Sequence, residues 1–456
     1  MPFKARILSA YDALRSSYWF LPSLMALGAL LLSYATLWVD EHTSAAPAGW
    51  FYTGTPEGAR SVLAVIAGSM ISTVGLVFSI VIVALQLASS QFGPRLLRTF
   101  VRDTANQIVL GTFIAAFLYA LMILRNVHGS VADSRTFVPQ VSMLTAVALA
   151  LGGIGVLIYF IHHTAAMIQA PNVINAVALD LHDAINRLYP MPDPDAPRDA
   201  PDASVAPEFE FDGAPLAASD AGHAGYIERI ELSLVVAVAA RRDLLIRIER
   251  YPGQLVLPDE AIMTARSAAP LSDEIKAELR DAYTIAPQRS LSQDAGFPLD
   301  QLLEIALRAL SPGVNDPFTA IQCTQRIGDG LAHLAARDFP SPFLKDDKGV
   351  ARVRASVRPL SSFIDLGLGP LRHAARESLL VLLELLHAAE RIALRLGDPD
   401  ALAVLSADAE QAHARAIALA STPSERDRVE AAYGAFHRAR AAARPRRPLT
   451  PPSRSA

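Results

Sequence analysis

The stretch Ser61–Pro94, SVLAVIAGSMISTVGLVFSIVIVALQLASSQFGP, contains no Asp, Glu, Lys or Arg. As a helix it would be about 50 Å long, whereas about 20 apolar residues already cross the roughly 30 Å hydrocarbon core of a bilayer. It is therefore read as a membrane span whose helix tilts or continues past the lipid boundary. Three more stretches have this character: Phe20–Val39, with Trp19 and Trp38 near its ends as interfacial anchors, Thr104–Leu124 and Thr136–Ile161. The apolar run of the first is too long, and starts too far into the chain, to be read as a cleaved signal.

Composition carries the same division. Of 456 residues, 52% are hydrophobic and only 19% charged, against about a quarter charged in soluble domains. Residues 1–165 hold 9 Lys/Arg and 6 Asp/Glu; residues 166–456 hold the other 32 and 39. A lipid-soluble third is thus joined to a water-soluble two-thirds. That excludes a secreted disulfide scaffold, a disordered chain and a simple soluble enzyme. The one cysteine, Cys323, is read as a small buried apolar residue. Neither C-x-x-C nor H-E-x-x-H spacing occurs, so no metal set and no cofactor is expected. A net charge of −4 gives no nucleic-acid footprint.

Basic residues orient the spans. Lys4, Arg6 and Arg15 precede the first, and Arg95, Arg98 and Arg102 follow the second, whereas the first loop is net acidic (Asp40, Glu41 and Glu57 against Arg60). Both termini are therefore expected on the cytoplasmic side of a bacterial inner membrane, with the lipid bilayer as the first partner. No Asp, Glu, Lys or Arg lies inside a span, which argues against ion-coupled transport. In the second span, Gly68, Ser72, Gly75 and Ser79 give small-x-x-x-small pairs, and Ser69, Ser72, Ser79 and Gln86 share one stripe. Such a stripe serves either helix packing with interhelical hydrogen bonds or the lining of an oligomeric pore. Both readings predict self-association or tight bundling, only the second predicts conduction, and a homo-oligomer is expected. Gly93-Pro94 ends the helix, and the arginines after it form an elbow at the head groups.

Beyond the spans, 166–189 reads as a connecting helix and 190–225, rich in Pro, Asp and Ala, as a disordered insertion. Residues 226–340 read as an α+β domain opening on a small β module with barrel-sandwich hairpin spacing. Residues 341–440 read as a helical bundle and 441–456 as a disordered basic tail. The fold class expected is therefore an α-helical membrane protein, with four transmembrane helices followed by a cytoplasmic α+β domain. Within that domain, Ser311-Pro312-Gly313-Val314-Asn315-Asp316-Pro317 joins two helices. Gly313 permits positive φ, Asp316 is placed to cap, and Pro317 suits a first helical position. With Arg308, Arg289 and Asn315, the free N–H groups of that helix could hold a small anionic ligand; a well-capped helical corner is the competing reading. No nucleophile–base pair is evident, so no catalytic residue is assigned.

At Val83–Arg98 (VALQLASSQFGPRLLR) and Ala306–Ile321 (ALRALSPGVNDPFTAI) the chain resembles the bacterial integral membrane proteins grouped as domain of unknown function 2254, over roughly residues 10–435. The resemblance implies a multi-pass inner-membrane protein with a cytoplasmic C-terminal domain, and no established activity. The reading favoured here is an oligomeric channel or conduit gated by its cytoplasmic domain. The alternative is a membrane-anchored ligand-binding or signalling module without transport.

Overall fold

The computed structural model describes residues 19–42, 55–93, 103–128, 137–192, 206–217, 224–267 and 270–443. It divides into two compact units between Asn172 and Val173. The elbow arginines, the end of the basic tail and parts of the 190–225 stretch lie outside the described residues.

Among the described residues, the first unit holds four helices long and apolar enough to cross a bilayer: α1 (Phe20–His42), α2 (Pro56–Phe92), α3 (Thr104–Asn126) and α4 (Gln140–Met167). Half of the apolar window of α3 is buried, against 17% for each of the others, so α3 is the centre of the bundle. Its Tyr119 and Ile123 pack with Leu63 and Met143, and its Leu110 and Phe113 with Met70 and Phe160. Gly111 lets α3 approach α1, because a Cβ there would run into Met25 and Pro22. α2 starts on Thr55, whose hydroxyl accepts from Gly58 N at 3.3 Å. It stops at Gly93, where φ is 103° and the N–H returns to Ser89 O.

Polar side chains tie the bundle at both ends. Asp40, at the end of α1, accepts from Val141 N (2.8 Å), Ser142 N (2.9 Å) and Ser142 Oγ (2.7 Å), so a carboxylate from one helix caps another. Beside it Thr36 Oγ1 meets Tyr119 OH at 2.8 Å, and Tyr119 OH donates to Ser142 O at 3.2 Å. Arg60 donates twice to Val127 O, at 3.1 and 2.7 Å. At the other end of α3, Asp103 caps the helix and bonds His163 Nε2 at 2.8 Å. Asp40→Ala leaves the first N–H groups of α4 without that acceptor. It is expected to cost about 1–3 kcal/mol, read as a lower unfolding temperature in detergent while Glu41→Ala stays near wild type.

The second unit begins with α5 (Ala170–Leu188), which packs its apolar side inward through Val173, Ile174, Val177, Leu181 and Ile185. Two sheets follow. A five-stranded sheet has the order β1-β5-β3-β8-β7, from Ala214–Ala217, Ala261–Arg266, Leu245–Ile248, Ala351–Arg354 and Phe343–Lys345. A three-stranded sheet has the order β4-β2-β6, from Leu255–Val256, Gly225–Ile230 and Tyr283–Ala286. Helices α6 (Leu232–Arg242) and α7 (Asp273–Arg280) accompany them, and Ile246, Ile262, Met263, Val238 and Val353 share the core. The remainder is helical: α8 (Gly296–Ala309), α9 (Pro317–Ala335), α10 (Leu360–Ala374), α11 (Leu379–Ala393), α12 (Pro399–Leu419) and α13 (Pro423–Ala442).

Three expectations are corrected here. The β module is not a barrel-sandwich of hairpins, because β8 arrives from about a hundred residues downstream and pairs parallel with β3. The division at 340/341 falls for the same reason, since β7 and β8 complete a sheet begun before it. Part of the 190–225 stretch is ordered: Ala206–Phe209 forms a 3-10 turn and β1 pairs antiparallel with β5. Phe209 supplies the missing apolar anchor, fully buried against Phe343 with ring centroids 5.6 Å apart. Arg247 donates to the Phe209 and Phe211 carbonyls.

α5 meets α9 through a histidine pair. The His182 and His333 rings lie 4.7 Å apart; His182 Nε2 bonds Asp329 Oδ2 at 2.9 Å, and His333 Nε2 bonds Asn186 Oδ1 at 2.8 Å. Burial, then His182 and the Arg337 and Arg395 cations, push the His333 pKa below its ordinary 6.5, with Asp329 opposing. A depressed histidine contributes stability that is complete above the unfolded value and is lost as pH falls through the folded one. The unit is therefore expected to lose stability below pH 6.5 through this ring, and His333→Gln to remove that share. Unfolding temperatures of both chains across the acid range check it.

Candidate functional site

The residues singled out in the sequence fall into two places, one in each unit. In the first, the second-span stripe faces away from the chain's own bundle. Gly68, Ser69, Ser72, Gly75, Ser79 and Gln86 are all exposed, whereas Leu63, Ala67, Met70, Val77, Val81 and Ala84 form the buried side of α2. A Cβ added at Gly68 or Gly75 would meet nothing within 4 Å. The serines satisfy themselves on their own helix: Ser69 Oγ donates to Ile66 O at 2.9 Å, Ser72 Oγ to Gly68 O at 2.8 Å and Ser79 Oγ to Gly75 O at 2.8 Å. Each hydroxyl so bonded keeps acceptor capacity. Among the described residues of this unit the stripe is thus not spent on packing; Gly111 does that work.

In the second unit the corner between α8 and α9 is built as its sequence suggests, with one difference. Asp316 caps α9, its Oδ1 accepting from Phe318 N and Thr319 N at 3.1 Å each and its Oδ2 from Thr319 Oγ1 at 2.6 Å. The Thr319 hydroxyl bond, helped by the two N–H groups, holds its pKa below the usual carboxylate value. The positive φ falls on Asn315 (48°), not on Gly313. Asn tolerates that conformation better than a β-branched residue would, and it lets Asp316 N reach back to Ala309 O at 2.8 Å. Asp316→Ala is expected to cost about 1 kcal/mol, measured as the unfolding temperature of the full chain.

Of the five residues expected to share an anion, Arg289 is engaged elsewhere and Asp316 caps its own helix. Asp316 itself occupies the helix N-terminus. Arg308 lies 4.0 Å from Glu304 of its own helix. Arg289 turns to two carboxylates: it bonds Asp294 through Nε at 2.8 Å, is also paired with Asp300, and lies over the Phe297 ring. Burial opposes its charge, but Asp294 and Asp300 outweigh burial and raise its pKa.

The Arg289–Asp294 pair is a hub that sequence reading missed. Asp294 is 6% exposed and also accepts from Gly296 N at 2.9 Å. Gly253 sits so close that a Cβ would strike the Asp294 carboxylate, and one on Gly296 would strike Arg358. The Arg358 guanidinium covers the Phe363 ring at 4.7 Å and the Tyr251 ring at 5.9 Å. Tyr189, just beyond α5, packs against Phe339 and Phe363, and burial pushes its hydroxyl pKa up. Short-range signals for the hub were present in Tyr251-Pro252-Gly253 and in Asp294 two residues before a helix, but neither shows that they meet.

Comparison with known proteins agrees with this architecture. Uncharacterized proteins of Mycobacterium bovis and Mycobacterium tuberculosis are each 34% identical to the chain over 353 residues, covering 76% of it and 66% of their own length. The chain thus spans just under two thirds of the curated relatives it matches. No solved structure matches it. The family model described as predicted membrane protein (DUF2254) matches residues 15–391, and the chain belongs to that family.

Proposed function

We propose that this protein assembles in a bacterial inner membrane as a homo-oligomeric conduit, with the α2 stripe at the assembly or conducting surface and the second unit as its gate. The observation that carries this reading is the outward exposure of Gly68, Ser72, Gly75, Ser79 and Gln86. In hydrocarbon, small residues favour close helix approach and polar side chains seek partners on neighbouring helices. Here the described helices of the first unit do not cover them. The basic clusters before α1 and after α2 support cytoplasmic termini and a cytoplasmic second unit. The gating part rests on α5, which follows α4 after two residues. That helix is clasped to α9 by the histidine pair and ends at Tyr189 beside the Arg289–Asp294 hub.

Because Gly75 has open space around it, Gly75→Leu is expected to keep the monomer folded while abolishing the oligomer and any solute flux. Cross-linking in membranes and flux from reconstituted vesicles read the two effects. A wild-type chain that stays monomeric excludes a shared pore. A wild-type oligomer that passes no solute favours the anchored-module reading instead.

A further inference from the structure

α12 and α13 lie beyond residues 15–391, the part of the chain that the family model matches. α12 is joined to α10 through a buried ion pair. Arg372, in the last turn of α10, donates from Nε to Asp408 Oδ1 of α12 at 2.5 Å. Two turns further along α12, Arg415 Nε donates to Arg376 O at 2.6 Å.

Asp408 is 8% exposed, and only half of its carboxylate is used. Its Oδ2 is fully buried, and no donor among the described residues reaches it. Folded proteins leave few buried polar atoms in that condition, because a desolvated acceptor without a donor is costly.

Asp408 also borders a cavity between the three helices α10, α11 and α12. Its walls are apolar side chains, among them Leu368, Leu385, Ala389 and Ala412, and its polar side chains are Arg372 and Asp408. Size and charge together restrict what it can hold. The space open to the centre of a water-sized sphere is about 10 Å³, roughly what one water needs. A cation would meet the Arg372 guanidinium, and an anion would meet the carboxylate. A neutral molecule that both donates and accepts suits the pair. Water can donate to Asp408 Oδ2 and accept from a guanidinium N–H, Nε being one of five such donors. Those are the two polar partners that a buried water requires. Burial pushes the Asp408 pKa up, with Arg372 opposing and Asp365 adding to the rise. A donor on Oδ2 would favour the ionised form as well.

We propose that this cavity binds a single ordered water, hydrogen-bonded to Asp408 Oδ2 and to Arg372, which completes the joint between α12 and the α10–α11 pair. The proposal concerns the second unit alone and does not depend on assembly in the membrane.

A high-resolution density map of the full chain in detergent reads the site directly: a solvent peak should stand about 2.5–3.0 Å from Asp408 Oδ2. Thermal unfolding of the same chain supplies an independent reading. Ala389→Val fills the cavity, expels the water and leaves Oδ2 bare, so the unfolding temperature should fall by on the order of 5 °C. In a chain that also carries Arg372→Met and Asp408→Leu, no carboxylate remains to be stranded. There the same substitution should lower the temperature by less than about half as much. No peak beside Oδ2, no loss in the otherwise native chain, or an equal loss in both chains overturns the proposal; equal losses would mean that Ala389→Val acts through packing alone.

Discussion

Replacing Arg289 with methionine is expected to destabilise the second unit by about 3–5 kcal/mol. The substitution keeps most of the side-chain volume and removes the charge. It leaves Asp294, 6% exposed, as a buried carboxylate that has lost its 2.8 Å partner. It also leaves Asp300 without the same guanidinium. Removing one member of a buried pair costs far more than the pair contributes, because the survivor keeps its desolvation penalty. Introducing Asp294→Asn into the same chain should therefore recover part of the loss. Chemical denaturation of the detergent-solubilised chain, followed by circular dichroism, reads both. A loss under about 1 kcal/mol for Arg289→Met would place the hub in a water-accessible setting, as for a surface pair.

Gly253→Ala is expected to cost about 2–4 kcal/mol by a different route to the same carboxylate. Its φ of 92° is a conformation that side chains other than glycine rarely adopt. The new methyl group would also run into Asp294, which is held from the far side by Arg289 and Gly296 N. Neither the turn nor the carboxylate can yield without breaking the other's bonds. Because both substitutions act through Asp294, their costs in one chain should fall short of additive. A double-mutant cycle with Arg289→Met measures that coupling. The exposed Gly349, in the turn between β7 and β8 and also at positive φ (77°) but with nothing within 4 Å, supplies the comparison: Gly349→Ala should cost only the backbone share.

These two changes bear on the proposed gate as well as on stability. Tyr189 packs on Phe363, and Arg358 covers that same ring while lying against Gly296 beside Asp294. The hub is thus where the far end of α5 meets the sheets and the helical bundle. If α5 conveys movement from α4, a loosened hub should uncouple it. Gly75→Leu, in contrast, should act on assembly and leave the hub intact.

The four spans were legible from composition alone, because an uncharged run such as Ser61–Pro94 has few ways to exist outside a hydrocarbon phase. Helix punctuation was equally local: Gly93 ends α2, Asp316 caps α9, and Thr422 with Glu425 forms a capping box at the start of α13. The small-residue stripe of α2 could be listed but not interpreted, since sequence spacing shows a shared face without showing what that face meets. Asp40 read as one acidic residue in a loop, and only folding makes it the cap of α4.

Sequence by itself settled what is decided within a turn or a span: which segments leave water, where helices begin and stop, and that Cys323 is buried. Tertiary structure alone decided what depends on residues far apart. It set β8 beside β3, turned Arg289 from a presumed anion ligand into the partner of Asp294 and Asp300, and left the α2 stripe outward. The physical reason is range: solvation and capping act over neighbouring residues. Strand pairing and charge compensation depend instead on which partner the folded chain delivers.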